Sequence, residues 1–508
     1  MREQLELIVV TISCVVSPVS SFLHSPASTT PLRRAARTFP PRACCVDGVV
    51  SMKTQLDQDS TPLVDALAEA VGNVRSPLFY PGHKMGSGAP SRLVDLILGG
   101  KLDALRHDLP ELPELDNLFA PEGPIRDAES LAADAFGAAK TWMLANGSTC
   151  GVLSSIIACV QWHNSRPQLS SAETSDSGGG GSGRSKRRSV VILPRDAHKS
   201  AVHALVLSGA EPCFLAPVRH PESGLSLGVG TAALKAALEE HGDQVAAVFV
   251  VSPTYEGACV DVTSVAAACR EAGVPLVVDE AHGAHLAFMA PPPAGGDEVA
   301  GQRENGNSAL PKAALQCGAD LVVQSAHKTL GSMTQSAFLH LGRGGVLSPG
   351  GEGGGGLGGG GNFSAARAVA DALATVQSSS PSYLLLASLD AARWDLAGEA
   401  KKGRHRLREA ARIADEVREE LLGAEGVKVL DLGGEVGRAT ECVGTDPLRL
   451  TVAFEGAIGG FEADEMLMEE FGVYSELPTP DYVTFVFGPG TTAEHGRKLV
   501  EALRHVAL

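Results

Sequence analysis

A lysine follows a short apolar run in the second half of the chain. Residues 324–335 read QSAHKTLGSMTQ, and Lys328 lies just beyond the apolar residues 321–323, with Ser325 and His327 beside it. A lysine at the end of a buried strand is either a surface residue whose stem packs on apolar neighbours or a nucleophilic amine. The other strand ends of the chain are needed to choose between these interpretations.

An acid ends a second apolar run. Asp279 follows three apolar residues in the stretch LVVDEAHGAH (276–285). An acid directly after a parallel strand is expected at the edge of the sheet, facing a site, although aspartate is also a common helix N-cap. His282 and His285 follow at helical spacing, but no third ligand has a spacing that suits a metal, so no metal site is predicted.

Two further stretches place polar groups at the start of a helix. LANGSTCGVLSSI (144–156) runs through Asn-Gly to Ser148 and Thr149, and free N–H groups with two hydroxyls suit a phosphate. It is not a Walker loop, because no Gly-Lys-Ser/Thr follows, and a simple capped helix fits equally well. PRDAHKS (194–200) ends another strand and puts His198 at a strand end, where a helix-capping histidine is the alternative.

Together these signals indicate one cofactor, pyridoxal 5′-phosphate. A strand-end lysine would form a Schiff base with it, and a strand-end acid would keep its pyridine nitrogen protonated. The helix start with its hydroxyls would bind the phosphate. Each signal has an ordinary structural explanation, but one cofactor accounts for all of them.

The elements that must position these residues alternate between strands and helices. Continuous apolar strands between helices are typical of an α/β fold with a mainly parallel sheet covered on both faces. The strands are predicted at 189–194, 246–251, 275–279 and 320–325, and helices at 61–72, 198–209 and 262–273.

From about Tyr383 the pattern changes. One long charged helix (391–423) is predicted before the strand-like runs VKVLDL, LRLTVAF and DYVTFVFGPG, which indicates a smaller α+β domain.

The domain organisation follows from these patterns. Three stretches rich in Gly, Ser or Pro, at 170–189, 290–308 and 348–362, are predicted as surface insertions because they cannot form a packed core. The chain divides into a targeting leader (1–52), an N-terminal segment (53–124), a large cofactor-binding domain (125–378) and a small C-terminal domain (379–508).

The composition fits a globular protein large enough for two or three domains. The chain has 508 residues, of which 44% are hydrophobic and 20% charged. A net charge of −17 argues against nucleic acid or an anionic membrane as the main partner. The ten cysteines show no metal-ligand spacing, so reduced core thiols in a reducing compartment are expected.

The leader has two parts. The apolar run 5–16 is too short to span a bilayer, and the stretch 17–45 is rich in Ser, Pro and Arg and free of acids. This pattern, with VSSF at 19–22, resembles leaders that route proteins into plastids bounded by extra membranes. A plastid stroma is therefore expected, and a disordered extension on a cytoplasmic protein is the alternative.

A set of short motifs occurs in a fixed order between about residues 61 and 390. They are TPLVDAL, YPGHKMG, ELPELDNLFAPEGPIRDAESLAADAFGA, ANGST, RDAHKS, SPTYEG, VDEAHGAH, QSAHKTL and SSPSYLLLASLD. Together they resemble the Orn/Lys/Arg decarboxylase family, fold type I of the pyridoxal-phosphate enzymes. Larger members carry an N-terminal receiver-like domain, and this chain is similar to the short form.

The resemblance implies roles for the strand-end residues. Lys328 would hold the cofactor's aldehyde carbon, Asp279 would pair with the pyridinium nitrogen, and His198 would stack on the ring. These positions match the family's motifs directly, and the insertion at 290–308 accounts for the unusually long separation between Asp279 and Lys328.

The resemblance also implies a phosphate site. Ser148 and Thr149, with Ser325 and His327, would bind the cofactor's phosphate. The family tends to have threonine where this chain has Ala326, which leaves these positions intact.

The implied function is decarboxylation of a basic amino acid, namely arginine, lysine or ornithine, which would feed polyamine synthesis. An aminotransferase or lyase of the same fold and an inactive regulatory homologue are the alternatives. Glu476 is a candidate for binding the substrate's distal cation, and a solvated surface residue is its other interpretation. Family members are homodimers or larger, so a homo-oligomer is expected.

Overall fold

A computed structural model describes most of the chain beyond the leader. The described residues are 56–166, 188–289, 310–348, 364–430, 432, 442–456 and 458–507. The predicted leader (1–52) and nearly all of the insertions predicted at 170–189, 290–308 and 348–362 lie outside them. Those predictions, like the domain boundaries, stay predictions.

A seven-stranded sheet forms the centre of the large domain, in the order β1-β8-β7-β6-β4-β2-β3. The four pairs from β7 to β3 are parallel, whereas β8 runs antiparallel to both of its neighbours, which confirms the mainly parallel sheet. Its strands are β1 (Lys140–Leu144), β2 (Val190–Pro194), β3 (Glu211–Leu215), β4 (Val245–Val251), β6 (Leu276–Asp279), β7 (Leu321–Gln324) and β8 (Ala337–Leu341), whereas β5 (Ala258–Val260) lies outside this sheet.

Helices flank the sheet and build the rest of the molecule. The predicted helices near 61–72, 198–209 and 262–273 are confirmed. The helices are α1 (Pro62–Asn73), α2 (Ser91–Leu96), α3 (Asp103–Arg106), α4 (Pro124–Phe136), α5 (Gly147–Ser165), α6 (Lys199–Ser208), α7 (Thr231–His241), α8 (Val262–Ala272), α9 (Leu286–Met289), α10 (Ala326–Thr329), α11 (Ala365–Val376), α12 (Tyr383–Ala397), α13 (Lys402–Leu421), α14 (Gly460–Phe471) and α15 (Ala493–Val506), with 3-10 turns at Gly242–Gln244 and Ala314–Cys317.

Both faces of the central sheet are buried. Along β2, Val191 and Leu193 face a core shared with α5, α6 and α11, whereas Ile192 faces a second core shared with α7 and α8. The side-chain period of a strand is two, so a strand buried on both faces must be apolar at every position. This explains why the central strands read as continuous apolar runs.

A second sheet follows the charged helices, in the order β12-β13-β11-β9. Its paired strands are antiparallel, α13 and α14 pack against it, and α15 packs on α13 and α14. The remaining strands are β9 (Val427–Val429), β10 (Cys442–Thr445), β11 (Arg449–Phe454), β12 (Leu477–Pro478) and β13 (Tyr482–Val486), of which β10 pairs with β5 of the large domain.

The prediction of a single helix over 391–423 was wrong. The chain forms α12 and α13, separated by Gly398, which has extended backbone, and by Lys401, whose φ of +45° is left-handed. Asp59 binds the chain at the break, since its carboxylate accepts a hydrogen bond from Glu399 N at 2.8 Å. A Cβ on residue 398 would lie 2.8 Å from the Asp59 Oδ1 atom, so glycine fits here.

Among the described residues, no helix has both the length and the apolar composition needed to cross a membrane.

Candidate active site

The polar residues at the strand ends converge on one cavity of about 760 Å³. It lies at the carboxyl edge of β2, β4, β6 and β7, where parallel sheets usually bind ligands. The cavity brings together the residues predicted from the sequence, namely Ser148, Thr149, His198, Asp279, Ser325, His327 and Lys328.

Asp279 forms part of the cavity floor. It is the last residue of β6 and is 5% exposed, and its Oδ1 atom accepts a hydrogen bond from Ala281 N at 3.1 Å. The residues directly after it form a turn, so Asp279 does not cap a helix. Burial raises the pKa of Asp279 to about 6, although the Ala281 N–H and the Lys328 charge oppose that rise.

Lys328 lies in the one-turn helix α10 after β7, half-buried. Its Nζ atom is 3.0 Å from His282 Nε2 and 5.8 Å from the centre of the Tyr255 ring. Burial lowers the pKa of Lys328, while Asp279 and Glu476 act in the opposite direction. The amine therefore does not lie on the protein surface, which favours the nucleophile over the snorkelling residue.

His198 combines both interpretations that the sequence left open. It is the N-cap of α6, and its Nδ1 atom accepts a hydrogen bond from Ser200 N at 3.3 Å. It also lines the cavity beside Asp279 and Lys328. Burial lowers the pKa of His198, with Lys328 and Lys199 contributing, so a neutral ring is favoured.

The predicted phosphate site combines a helix start with a second loop. Gly147, with a φ of +74°, opens α5, and its N–H donates to Gln335 O at 2.8 Å. Ser148 and Thr149 occupy the first turn of this 19-residue helix. The loop that follows Lys328 is thus hydrogen-bonded to the start of α5, and both Lys328 and the start of α5 line the same cavity.

Ser325 and His327 approach from the other side. The His327 Nδ1 atom donates to Ser336 O at 2.9 Å, so the Nε2 atom is the ring nitrogen that this bond does not use. The Ser325 side chain is fully buried, and within the described ranges its Oγ atom has no hydrogen-bond partner. Buried hydroxyl groups nearly always form hydrogen bonds, so the Ser325 Oγ atom is a candidate for binding a ligand.

Three residues around the lysine were not assigned from the sequence. His282 contacts Lys328 directly, its ring packs 4.5 Å from that of Tyr255, and its Nδ1 atom is 2.9 Å from Arg449 Nη2. Tyr255 could have been found through the motif SPTYEG. Arg449 comes from β11 of the second sheet, and no local pattern relates it to the strand ends.

The spacing of the two histidines in DEAHGAH suggested that they share one face of a helix, but they do not. They lie in consecutive turns, and His285 contacts Asp446 at 2.8 Å whereas His282 faces the cavity. In the part of the chain that the structure describes, no group of three or more His, Cys, Asp or Glu side chains could hold a metal ion.

The outer wall of the cavity carries carboxylates. Asp196, Glu256 and Asp481 line it, together with Arg219. Glu476 is not among the lining residues, and its Oε1 atom accepts a hydrogen bond from Tyr255 OH at 2.6 Å. Burial and this carboxylate raise the pKa of Tyr255 to about 12. Glu476 thus contacts the cavity wall rather than the cavity itself.

The residues present fit pyridoxal phosphate. The cavity falls within the range of about 300–1,000 Å³ that is usual for small-ligand sites. Its lining includes the buried carboxyl group of Asp279, the Lys328 amine with its lowered pKa, and the start of α5 with its hydroxyl groups. The Ser325 Oγ atom, which has no hydrogen-bond partner among the described residues, also lies there. These groups match the ring nitrogen, aldehyde and phosphate of one cofactor.

Comparison with known proteins is consistent with this geometry. The family model described as "Orn/Lys/Arg decarboxylase, major domain" matches residues 61–165 and 184–443. The arginine decarboxylase of Bacillus subtilis (strain 168) is 32% identical over 453 residues, covering 89% of this chain and 78% of that protein. The arginine decarboxylase of Halalkalibacterium halodurans is 30% identical over 451 residues, with the same coverage of both chains.

A solved structure shows the same fold. Lysine decarboxylase A from Pseudomonas aeruginosa superposes with a TM-score of 0.64 at 21% identity, over 87% of this chain. The chain spans 59% of the length of that protein.

Proposed function

The chain belongs to the Orn/Lys/Arg decarboxylase family and is a pyridoxal-phosphate-dependent decarboxylase, and we propose that its substrate is arginine. The preference for arginine rests on two relatives named arginine decarboxylase, each matched over 89% of this chain. Lysine and ornithine are the competing substrates. The product, agmatine, would feed polyamine synthesis.

One feature of the geometry supports the cofactor, and the family membership supports decarboxylation. Asp279 ends β6, Lys328 follows the neighbouring strand β7, and both face one cavity. Bound pyridoxal phosphate supplies an aldehyde that condenses with amines and a protonated ring that takes up the electron pair left by a departing carboxylate. The fold is that of fold type I enzymes which use this cofactor.

The side chains of the site divide the remaining tasks. Asp279 would hold a proton on the ring nitrogen, because its carboxyl group, with a pKa of about 6, is ionised at neutral pH. Lys328 would act as the nucleophilic amine, since burial favours its neutral form. His198 would cover one face of the ring, and the start of α5 with Ser325 would hold the phosphate.

Product analysis tests the proposal directly. Purified protein with pyridoxal phosphate would be incubated separately with arginine, lysine and ornithine, and the amines identified by mass spectrometry together with released CO₂. We expect agmatine to form with the highest kcat/KM. Cadaverine or putrescine as the preferred product would overturn the choice of arginine but leave the decarboxylase in place.

The same assay separates the alternatives. An aminotransferase would release a keto acid only when an acceptor is supplied, and it would release no CO₂. An inactive homologue would release neither, with or without the cofactor. The Lys328→Ala variant is the matched control for trace activity from a contaminating enzyme.

We also propose that the chain works as a homodimer or a larger homo-oligomer. The apolar arm, defined here as residues 78–102, exposes large apolar side chains, and helix α2 within it has no buried residue. Leu78 is 92% exposed, Tyr80 82% and Ile97 74%. Apolar side chains grouped in this way are typical of surfaces that another protein covers, and a second copy is the occupant proposed.

We further propose a plastid stroma as the location. The support is the two-part composition of the first 52 residues, and the spacing of the ten cysteines, which suggests no disulfide framework, agrees with a reducing stroma. Fusing residues 1–52 to a fluorescent reporter tests this. A reporter that stays in the cytosol, or is secreted, would rule out plastid targeting without touching the enzymatic proposal.

A further inference from the structure

A line of buried polar side chains extends from Lys328 away from the cavity. His282 lies between Lys328 and Arg449, at 3.0 Å from the amine and 2.9 Å from the guanidinium. Arg449 Nη1 is in turn 3.8 Å from Asp446 Oδ2, and Asp446 Oδ1 is 2.8 Å from His285 Nε2. All except Lys328 are at most 7% exposed, so water does not compete for these contacts.

The chemistry of Arg449 determines where the His282 proton lies. A guanidinium carries only N–H donors and remains protonated in proteins. The His282 Nδ1 atom must therefore accept the hydrogen bond from Arg449 Nη2, and the ring cannot carry a proton there. A neutral imidazole has one N–H, so the proton of His282 lies on Nε2.

The Nε2 proton in turn determines the state of Lys328. The His282 Nε2–H faces Nζ at 3.0 Å and can only donate to it. An ammonium group has three donors and no acceptor, so it cannot receive this bond, whereas a neutral amine has a free lone pair. Two donors facing each other would be repulsive in this buried position.

We propose that His282 and Arg449 are positioning residues, and that Arg449 fixes the His282 tautomer that holds the free Lys328 amine neutral. A neutral amine is the form that can act as a nucleophile, so this device would prepare Lys328 each time that it is released from the cofactor. The inference deepens the proposed decarboxylase activity but does not depend on which amino acid is the substrate.

The charges around Lys328 act in both directions. Asp279 on β6 and Glu476 before β12 favour the ammonium form, whereas burial and Arg449 on β11 disfavour it. His198 at the start of α6 and the Tyr255 ring after β4 complete the surroundings. Burial, Arg449 and Lys328 lower the pKa of His282, so His282 does not add a positive charge of its own. The His282 N–H group and Arg449 thus favour the neutral form of Lys328, whereas the carboxylates of Asp279 and Glu476 favour its ammonium form.

The protonation of Lys328 can be measured without turnover. The cofactor-free full-length chain would be labelled with trace acetic anhydride at pH values from about 6 to 11, a range that brackets an ordinary lysine pKa. Mass spectrometry of the peptide that carries Lys328 then gives the midpoint of its reactivity. In the Arg449→Met variant, the His282 ring is free to turn its lone pair toward Lys328 and accept from an ammonium. We expect the midpoint to rise by about one pH unit or more, a tenfold change in the protonated fraction.

Two further variants separate this device from a loosened structure. Arg449→Lys keeps a charged donor and should restore a midpoint near that of the wild type. Thr451→Val lies on the same strand and loses a buried hydrogen bond to Thr484, so it perturbs β11 without touching His282. We expect its midpoint to equal the wild-type value. A rise in Thr451→Val as large as in Arg449→Met, or no rise in Arg449→Met, would overturn the proposal.

A measurement on the wild-type chain keeps the proposal testable even if Arg449→Met does not fold. Hydrogen–deuterium exchange at the imidazole C2 position, read by mass spectrometry, reports the pKa of each histidine. We expect the midpoint of His282 to lie far below the ordinary value of about 6.5. A midpoint at or above that value would mean that an imidazolium faces Arg449, which contradicts the assigned tautomer.

Discussion

At the scale of single residues, Lys328 is the group without which the proposed chemistry stops. We expect Lys328→Ala to remove the visible absorbance of lysine-bound cofactor and to lower kcat by on the order of a thousandfold or more, because no other amine in the cavity lining can replace it as the nucleophile. Absorbance spectra and steady-state kinetics measure both effects. Lys235→Ala, at an exposed site on α7, is the control and should behave as wild type. Wild-type activity in Lys328→Ala would refute the assignment.

Asp279 should make cofactor binding depend on pH. Its folded-state pKa of about 6 means that the carboxylate needed for the ring nitrogen is present above this pH and is lost as the pH falls through it. We therefore expect cofactor affinity in the wild type to weaken below about pH 6. In Asp279→Asn, cofactor affinity should not weaken below pH 6, and turnover should be far slower than in the wild type. A titration of cofactor fluorescence at several pH values shows whether this pH dependence disappears.

The same residue should carry a stability penalty in the cofactor-free chain. The pKa of Asp279 is raised from 3.8, so between about pH 4 and pH 6 the folded state binds more protons than the unfolded state, and stability falls as the pH rises. Asp279→Asn should therefore unfold at a higher temperature than the wild type at neutral pH, by up to roughly 2–3 kcal/mol in unfolding free energy. Calorimetry of both chains without cofactor tests this, and a less stable variant would show that the carboxylate is not penalised by burial.

Sequence patterns predicted those site residues that directly follow a single apolar strand. Asp279 and Lys328 each follow an apolar run, and the rule that ligands bind at the carboxyl ends of parallel strands was enough to place them together. The partnership of His282 with Arg449 could not be predicted, because it joins residues 167 positions apart through a contact between two sheets. Helical spacing misled the interpretation of His282, because the chain turns after β6 instead of forming a helix.

At the scale of elements, a buried chain of side chains ties the strand ends together. Gln324 Nε2 donates to Glu280 Oε2 at 2.6 Å, and His340 Nε2 donates to Gln324 Oε1 at 3.0 Å. Thr141 donates to the other ring nitrogen of His340 at 2.8 Å. Burial lowers the pKa of His340 to about 3, so the ring is neutral and the direction of every bond is fixed. The chain crosses β7, β8 and β1 and ends directly after β6.

Breaking this chain in the middle should destabilise the large domain. Gln324→Leu leaves one atom of each neighbour, Glu280 Oε2 and His340 Nε2, without its partner. An unsatisfied buried polar atom costs about 1–3 kcal/mol. We expect a total loss of roughly 2–5 kcal/mol in unfolding free energy, measured by urea denaturation. Gln161→Leu, at an exposed position on α5, is the matched control and should change stability little. Equal stability of the two variants would mean that the buried bonds contribute nothing.

Elements were predictable where one sequence pattern determined them. The strands with both faces buried appear as apolar runs, and the predicted β2, β4, β6 and β7 are confirmed to within one or two residues. The break between α12 and α13 was not predicted, since the charged helical pattern continues through it and the backbone there is bound by Asp59, more than 300 positions earlier. Tertiary contacts of this kind override local helix propensity.

At the scale of the whole molecule, the apolar arm is the surface whose exposure is hardest to reconcile with an isolated chain. A monomer in water would leave Leu96 and Ile97 exposed at 66% and 74%, whereas an association that covers them would gain about 25 cal/mol for each Å² removed from water. The short helix α2 that carries Leu96 buries none of its own residues, so packing within the chain does not explain its apolar composition.

Replacing this surface should therefore change the assembly more than the fold. We expect the double variant Leu96→Glu with Ile97→Glu to shift the mass measured by light scattering from that of an oligomer toward the 52.5 kDa of one full-length chain, because buried charges would oppose association. Leu422→Glu, at another site that is 70% exposed, introduces the same kind of charge and should leave the mass unchanged. A wild-type chain that is already monomeric at working concentrations, or a double variant that remains fully assembled, would show that a second copy does not cover the apolar arm.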